Sequence, residues 1–75
     1  MEEEIENFKI HLGGKIKKFR KKKGLTQPQL GALINKDYQD VSRVENGKVI
    51  PSAYYIWQVS KALEIPIEEF FNFEK

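Results

Sequence analysis

Cysteine is missing from all 75 positions, and histidine occurs once, at His11. Neither a disulfide staple nor a thiolate metal site can form, and a single imidazole cannot make a multi-histidine site. No metal or cofactor is expected. The chain also lacks a Ser–His–Asp set, a ligand cluster and a phosphate-binding glycine loop, which argues against an enzyme. No apolar run approaches the roughly 18 residues needed to span a bilayer, so no membrane partner is expected. The start, Met1-Glu2-Glu3-Glu4, is acidic, the opposite of a signal peptide's positive beginning. These absences predict a soluble, cytoplasmic protein, where a lack of cysteine causes no difficulty. A domain of this size buries only about 60% of the surface its unfolded chain exposes, so apolar burial and helix caps must be used economically.

What the chain has is charge with a direction. The formal net charge is only +2. Between Lys15 and Lys48, however, ten Lys/Arg face three Asp/Glu, a balance of +7. The flanks carry three lysines against eight acids, a balance of −5, and the two parts sum to +2. A basic middle between acidic ends is a usual footprint for nucleic acid. Taken alone, the run Lys21-Lys22-Lys23 fits a solubilising face as well as long-range attraction.

Apolar residues at Ile5, Phe8, Leu12, Ile16 and Phe19 form one stripe of a 3.6-residue helix. Gly13-Gly14 weakens it at roughly 1 kcal/mol per glycine relative to alanine. The firm part is therefore expected from about Leu12 to Lys23, with Gly24 as its stop and residues 1–11 as an acidic arm or helix extension. Thr26-Gln27-Pro28-Gln29 is a helix start with a reciprocal capping box. That helix runs through Leu30, Leu33 and Ile34 and stops at Asn35, a residue that tolerates a left-handed backbone. Asp37 caps the next, with Asp40 as a weaker capping-box partner, and Asn46-Gly47 closes it. Ser52 or Pro51 opens a fourth helix facing inward through Ile56, Val59, Ala62 and Leu63. Pro66 opens a short fifth carrying Ile67, Phe70 and Phe71. The expected fold is all-α, a compact bundle of five helices in one domain over residues 12–75.

Two short helices joined by a turn of about three residues have the spacing of a helix-turn-helix, here at about 27–45, in which the helices meet at about 90–120°. Gly31 is small where the backbones must approach. The stretches Gly24-Leu25-Thr26-Gln27, Val41-Ser42-Arg43-Val44-Glu45-Asn46-Gly47-Lys48 and Pro51-Ser52 strongly resemble the Cro and phage-repressor type of helix-turn-helix domain, the xenobiotic-response-element family of regulators. The pattern Ile56…Val59…Ala62-Leu63…Ile65…Phe70-Phe71 is similar to that family's fourth and fifth helices. The resemblance covers roughly residues 12–71 and implies a lambda-repressor-like fold.

The resemblance also implies roles. The helix over 38–45 would lie in the major groove of double-stranded DNA, whose base edges distinguish all four pairs. Tyr38 and Gln39 match base-reading positions, Gln39 being suited to adenine N6/N7. Arg43 matches another and is suited to guanine O6/N7, and Ser42 is a lesser contact. Gln27 matches a phosphate contact at a helix N-terminus. Asn46 and Lys48 match the phosphate-contacting loop, which fixes register without reading sequence.

Three residues depart from the family pattern. Lys36 stands where an apolar residue is usual and is assigned instead to a phosphate. Asn35 replaces a common glycine. Asp40 puts a negative charge on the groove-facing helix, where capping is favoured over acceptance from cytosine N4. Glu45 is read as structural, orienting a nearby cation, with Arg20 the candidate. Trp57, Phe71 and Phe73 are expected at a two-fold dimer interface, the alternative being that they thicken the core. The function expected is a homodimeric, sequence-specific transcriptional regulator acting as a repressor on a pseudo-palindromic operator. RNA polymerase or another protein is a further possible partner through the acidic arm. A protein-interaction adaptor or antitoxin-like partner using the same fold is the competing class, kept open by Asp37 and Asp40.

Overall fold

The computed structural model describes residues 2–73; Met1, Glu74 and Lys75, which fall inside the expected arm and domain bounds, lie outside the described residues. The chain forms α1 (Glu2–Lys22), α2 (Gln27–Ile34), α3 (Tyr38–Glu45) and α4 (Ala53–Leu63), followed by a 3-10 helix over Ile67–Phe71. There is no strand among the described residues. The expected all-α class holds, but the count of five helices needs correction. The fifth element is a single stretch of 3-10 helix, entered from Pro66 without a side-chain cap. A short unsupported segment of this kind takes the tighter geometry readily.

Each α-helix ends on a residue with a left-handed backbone: Gly24 (φ 73°), Asn35 (φ 60°), Gly47 (φ 71°) and Glu64 (φ 59°). At three of these stops the next two amides turn back onto the helix in the paired pattern that satisfies orphan carbonyls. Gly24 N donates to Lys21 O and Leu25 N to Arg20 O, Gly47 N to Val44 O and Lys48 N to Arg43 O, and Glu64 N to Lys61 O and Ile65 N to Ser60 O. The starts are equally explicit. Thr26 Oγ1 accepts from Gln29 N while Gln29 Oε1 accepts from Thr26 N, completing the capping box. Asp37 Oδ1 accepts from Asp40 N, and Ser52 Oγ from Tyr55 N, so the fourth start is at Ser52.

One core gathers Leu12, Ile16 and Phe19 of α1, Leu30 and Ile34 of α2, Val41 and Val44 of α3, Tyr55, Ile56, Val59 and Leu63 of α4, and Phe70. Phe19 meets Phe70 edge to face at 5.1 Å, a geometry that suits the ring quadrupoles. The anticipated stripe on α1 is buried only from Leu12 onward; Phe8 is half-buried and Ile5 exposed. The helix itself nevertheless runs unbroken from Glu2 through both glycines.

Those two glycines differ. A Cβ on Gly13 would lie 2.3 Å from Val44 O and 2.7 Å from Glu45 O, so α1 rests directly on the C-terminal backbone of α3. Gly14 has nothing within 4 Å of such a Cβ. Gly14→Ala is therefore expected to stabilise the fold by about 0.5–1 kcal/mol, the helix-propensity difference. Gly13→Ala should destabilise it, because only backbone could move aside. Urea unfolding of the two variants checks the opposite signs.

Candidate nucleic-acid interface

The α2–turn–α3 unit is set by a close approach at Gly31. A Cβ there would sit 2.3 Å from Lys36 O, so any larger residue would push the turn away from α2. Lys36 N closes the same turn by donating to Gly31 O at 2.8 Å. Val41 and Val44 then fix α3 by one face. Tyr38, Gln39, Ser42 and Arg43 fall within about 140° of arc on its other side, at 3.6 residues per turn. Tyr38, Gln39 and Arg43 are exposed and Ser42 is half-buried. The four residues assigned to base reading are thus brought onto one accessible face.

The residues assigned to phosphate are distributed around that face. Lys36 is exposed in the turn, and Asn46 and Lys48 are exposed just after α3. Asn46 Nδ2 donates to Ser42 Oγ at 3.2 Å, tying the loop contact to the helix. Gln27, assigned to phosphate through the helix N-terminus it opens, has a side chain whose Nε2 donates to Glu45 Oε1 at 3.1 Å. Its amide is committed within the protein, while its backbone still opens α2 at the positive end of the helix dipole.

Glu45 is the hub of this region. Arg20 Nε donates to Glu45 Oε2 at 2.6 Å and Arg20 Nη2 to Glu45 Oε1 at 3.0 Å, a bidentate pair. Arg20 Nη1 donates to Leu25 O at 2.6 Å. Both residues are only 6% exposed, so the pair is buried. Glu45 thus has the expected structural role, with Arg20 as its cation.

Asp40 departs from expectation. Its backbone N receives the Asp37 cap, but its carboxylate does not reach back to complete a box. It accepts instead from Arg43 Nη2, one turn along the same helix. An aspartate is too short to return to the cap position and still pair with an arginine three residues ahead, and the charge-assisted bond is taken. Asp40 also lines a cleft of about 350 Å³ with Lys36, Arg43, Val44, Val49, Pro51, Ser52 and Tyr55.

Tyr55, on the floor of that cleft, was not anticipated as part of the region. Its hydroxyl is buried and meets no partner among the described residues. Burial, with the Glu45 and Asp40 carboxylates adding repulsion, raises its pKa from 10.0 to about 12. The signal visible in the sequence was only an aromatic beside the core position Ile56.

The three aromatics assigned to a dimer separate into two groups. Trp57 is exposed and stacks on Tyr54 at 5.9 Å, with Lys61 Nζ 4.3 Å above its ring. These residues line a cleft of about 340 Å³ with Leu33 of α2. Phe73 instead packs edge-on against Phe8 at 5.8 Å and beside His11 at 5.4 Å, and Phe71 stacks on Phe8 at 6.4 Å. The C-terminal rings thus cover the acidic extension of α1, whose Phe8 and His11 carried no assigned partner.

Comparison with known proteins agrees with this geometry. The helix-turn-helix family model matches residues 16–70, and the chain belongs to that family. It is 36% identical over 69 residues to the control protein C.MunI of a Mycoplasma species, covering 91% of this chain and 93% of that one. It is 30% identical over 61 residues to the HTH-type transcriptional regulator YgzD of Bacillus subtilis, covering 81% and 92%. The solved restriction-modification controller C.AhdI of Aeromonas hydrophila superposes with a TM-score of 0.80 at 32% identity, over 83% of this chain and 90% of that one.

Two consequences for stability are measurable. Glu45→Ala would leave the Arg20 guanidinium buried without its carboxylate, a loss of about 3–5 kcal/mol. Chemical denaturation should show it as a sharply lowered midpoint. Tyr55 acts at high pH. From about pH 10 the unfolded chain releases the phenolic proton, while the folded chain keeps it to about pH 12. In that window the unfolded state binds fewer protons, so folding stability falls as pH rises, by an amount on the order of 2 kcal/mol. Tyr55→Phe should remove this part of the alkaline loss and cost little at neutral pH, since the hydroxyl has no partner to lose. Unfolding curves of both proteins on either side of pH 10 provide the comparison.

Proposed function

We propose that this chain is a sequence-specific, double-stranded DNA-binding transcriptional regulator of the controller kind, reading the major groove with α3. The exposed face of α3 carries this reading: Tyr38, Gln39, Ser42 and Arg43 project from a helix whose opposite face is locked into the core. In this reading residues 12–75 are the DNA-binding unit and residues 1–11 extend its first helix. Gln39 reads adenine, Arg43 reads guanine, and Tyr38 and Ser42 make supporting contacts. The backbone at Gln27 with Lys36, Asn46 and Lys48 holds phosphates. Control of restriction–modification genes is favoured within this class, since C.MunI and C.AhdI, named as control proteins, are matched over 90% or more of their own lengths. Repression by occlusion of the promoter, inside the cell, is the simplest mode of action.

The same reading includes a homodimer on two half-sites about 34 Å apart. Trp57 and its neighbour Tyr54 supply one exposed aromatic surface for it, and Phe71 supplies a second. Phe73 contributes by holding Phe8. The adaptor alternative draws less support from the two aspartates that kept it open, since Asp37 serves as a helix cap and Asp40 pairs with Arg43.

Selection from a randomised duplex library at about 0.1 M salt, where phosphate attraction is partly screened, tests this directly. An inverted repeat is the expected product. Arg43→Ala should weaken binding by about 1–3 kcal/mol and relax preference at one base pair per half-site. Lys48→Ala should weaken all sequences alike and reduce the salt slope by about 0.9. Absence of any enriched sequence, or an Arg43→Ala protein with unchanged preference, would overturn the reading.

A further inference from the structure

Arg43 does not stand free on the reading face. Its Nη2 is held by the Asp40 carboxylate, one turn back on α3, with side chains 53% and 39% exposed respectively. Asp40 is itself held in place. Its backbone N is the amide that the Asp37 side chain caps, and its side chain sits at the edge of the cleft formed by Lys36, Val44, Pro51 and Tyr55. Glu45 and Asp37, the other acids of the basic segment, are occupied by Arg20 and by the cap. The one carboxylate beside the reading face is therefore attached to the one arginine on it.

We propose that Asp40 is a specificity-determining positioning residue, which holds the Arg43 guanidinium for base reading and withholds it from phosphate. This rests on the reading of Arg43 as a base contact. A guanidinium carries five N–H donors in a rigid fork, two of them on Nη2. An arginine held through one Nη2 hydrogen keeps the other, with the neighbouring nitrogen on that edge, as a parallel pair for the two acceptors of a guanine. Fixing the side chain beforehand lowers the ordering cost of a specific contact. The clamp acts in the opposite direction on unrelated DNA. An unheld arginine can swing to the nearest phosphate, whereas one bound to a carboxylate must break that pair first, and Asp40 itself repels phosphate. Discrimination thus gains from both sides, through a contact made easier and a competing contact made harder.

The side chain of Asp40 can be changed without touching the fold's supports, since the cap uses only its backbone and an exposed ion pair contributes little to stability. The test uses the full chain with Asp40→Asn, Asp40→Ala, Arg43→Ala and the double variant Asp40→Asn/Arg43→Ala. Binding is titrated over a range of salt on the selected duplex, on duplexes altered at the pair Arg43 reads, and on unrelated duplex. Circular dichroism confirms that each variant is folded.

Asp40→Asn and Asp40→Ala should each lose about three- to tenfold of discrimination at that base pair, the scale of ordering one long side chain. Both should also bind unrelated duplex more tightly, with a salt slope steeper by about 0.9 as Arg43 takes up a phosphate. In the Arg43→Ala background Asp40→Asn should change neither discrimination nor salt slope, and should tighten unrelated duplex only by the small amount that loss of the carboxylate's own repulsion gives. Unchanged discrimination and slope in Asp40→Asn, while Arg43→Ala loses its preference, would overturn the clamp and leave Arg43 as a base reader. A change of preference from Asp40→Asn that persists without Arg43 would also overturn it, showing direct reading of a base by the carboxylate. If Arg43→Ala leaves preference intact, the assignment of Arg43 falls, and the clamp with it.

Discussion

The buried pair of Arg20 and Glu45 ties three parts of the chain together through side chains of defined direction. Arg20 comes from the last turn of α1 and Glu45 is the last residue of α3. The same two side chains also hold Leu25 O, in the link before α2, and Gln27 Nε2, at its first residue. Removing two charges from water is costly, and a pair of this kind is poor evidence for stability in itself. What it adds is geometry. Apolar packing tolerates sliding, whereas a bidentate bond with both carboxylate oxygens occupied does not. The end of α3 is thereby fixed against the start of α2 and the end of α1. The exposed face of α3 follows, because a helix of two turns held at its end and along one face has little freedom left.

The same constraint explains Gly13. If Glu45 must reach Arg20, the carbonyl end of α3 has to come within touching distance of α1, and a glycine opposite Val44 O and Glu45 O lets it do so. From the sequence, Gly13 and Gly14 looked equivalent, two weak points in one helix. Nothing in their spacing distinguishes a glycine that makes room for another backbone from one that faces open space. That information lies in α3, thirty or so positions away along the chain, and is a tertiary fact.

Much of the architecture was legible because it is written in short-range chemistry. Thr26 with Gln29, Asp37, Ser52, Gly24, Asn35 and Gly47 each announce a helix boundary by residue type, and each boundary lies where they place it. Glu64 also ends a helix in a left-handed conformation, but a glutamate carries no such signal; the paired bonds of Glu64 N and Ile65 N to the last turn hold it there. The exposed face of α3 was legible for a similar reason, since Val41 and Val44 declare the opposite face. What could not be read was the partner chosen by a side chain with more than one option. Gln27 had a phosphate or Glu45 within reach, and Asp40 a cap or Arg43. Phe73 had a second subunit or Phe8. The observed contacts of Gln27 and Phe73 are with residues that only the folded arrangement brings near. Arg43, by contrast, lies one turn ahead of Asp40 on the same helix, and residue type does not say which of two local partners that carboxylate takes.

These choices give the charge pattern a sharper meaning. Between Lys15 and Lys48 there are ten basic residues, of which only Arg20 and Arg43 are arginine, and three acidic ones. Both arginines are in carboxylate pairs, one buried and one exposed, and the third acid is a helix cap. The eight remaining cations are all lysines. Arginine's planar fork suits bonds of defined direction, while lysine is a compact charge on a flexible stem. The protein has thus divided its positive charge by chemistry. The two arginines are used where an angle matters, one joining α1 to α3 and one paired to Asp40 on the exposed face of α3. The lysines supply a field that acts at a distance and needs no fixed partner. The acids in this segment do little to cancel that field, since each is placed where it directs particular donors close by. A net balance of +7 here is therefore best understood as eight lysine charges, of which Lys23 meets Glu64 outside the segment at 3.5 Å, around a small set of directed bonds, with the single cap carboxylate as the remaining negative charge.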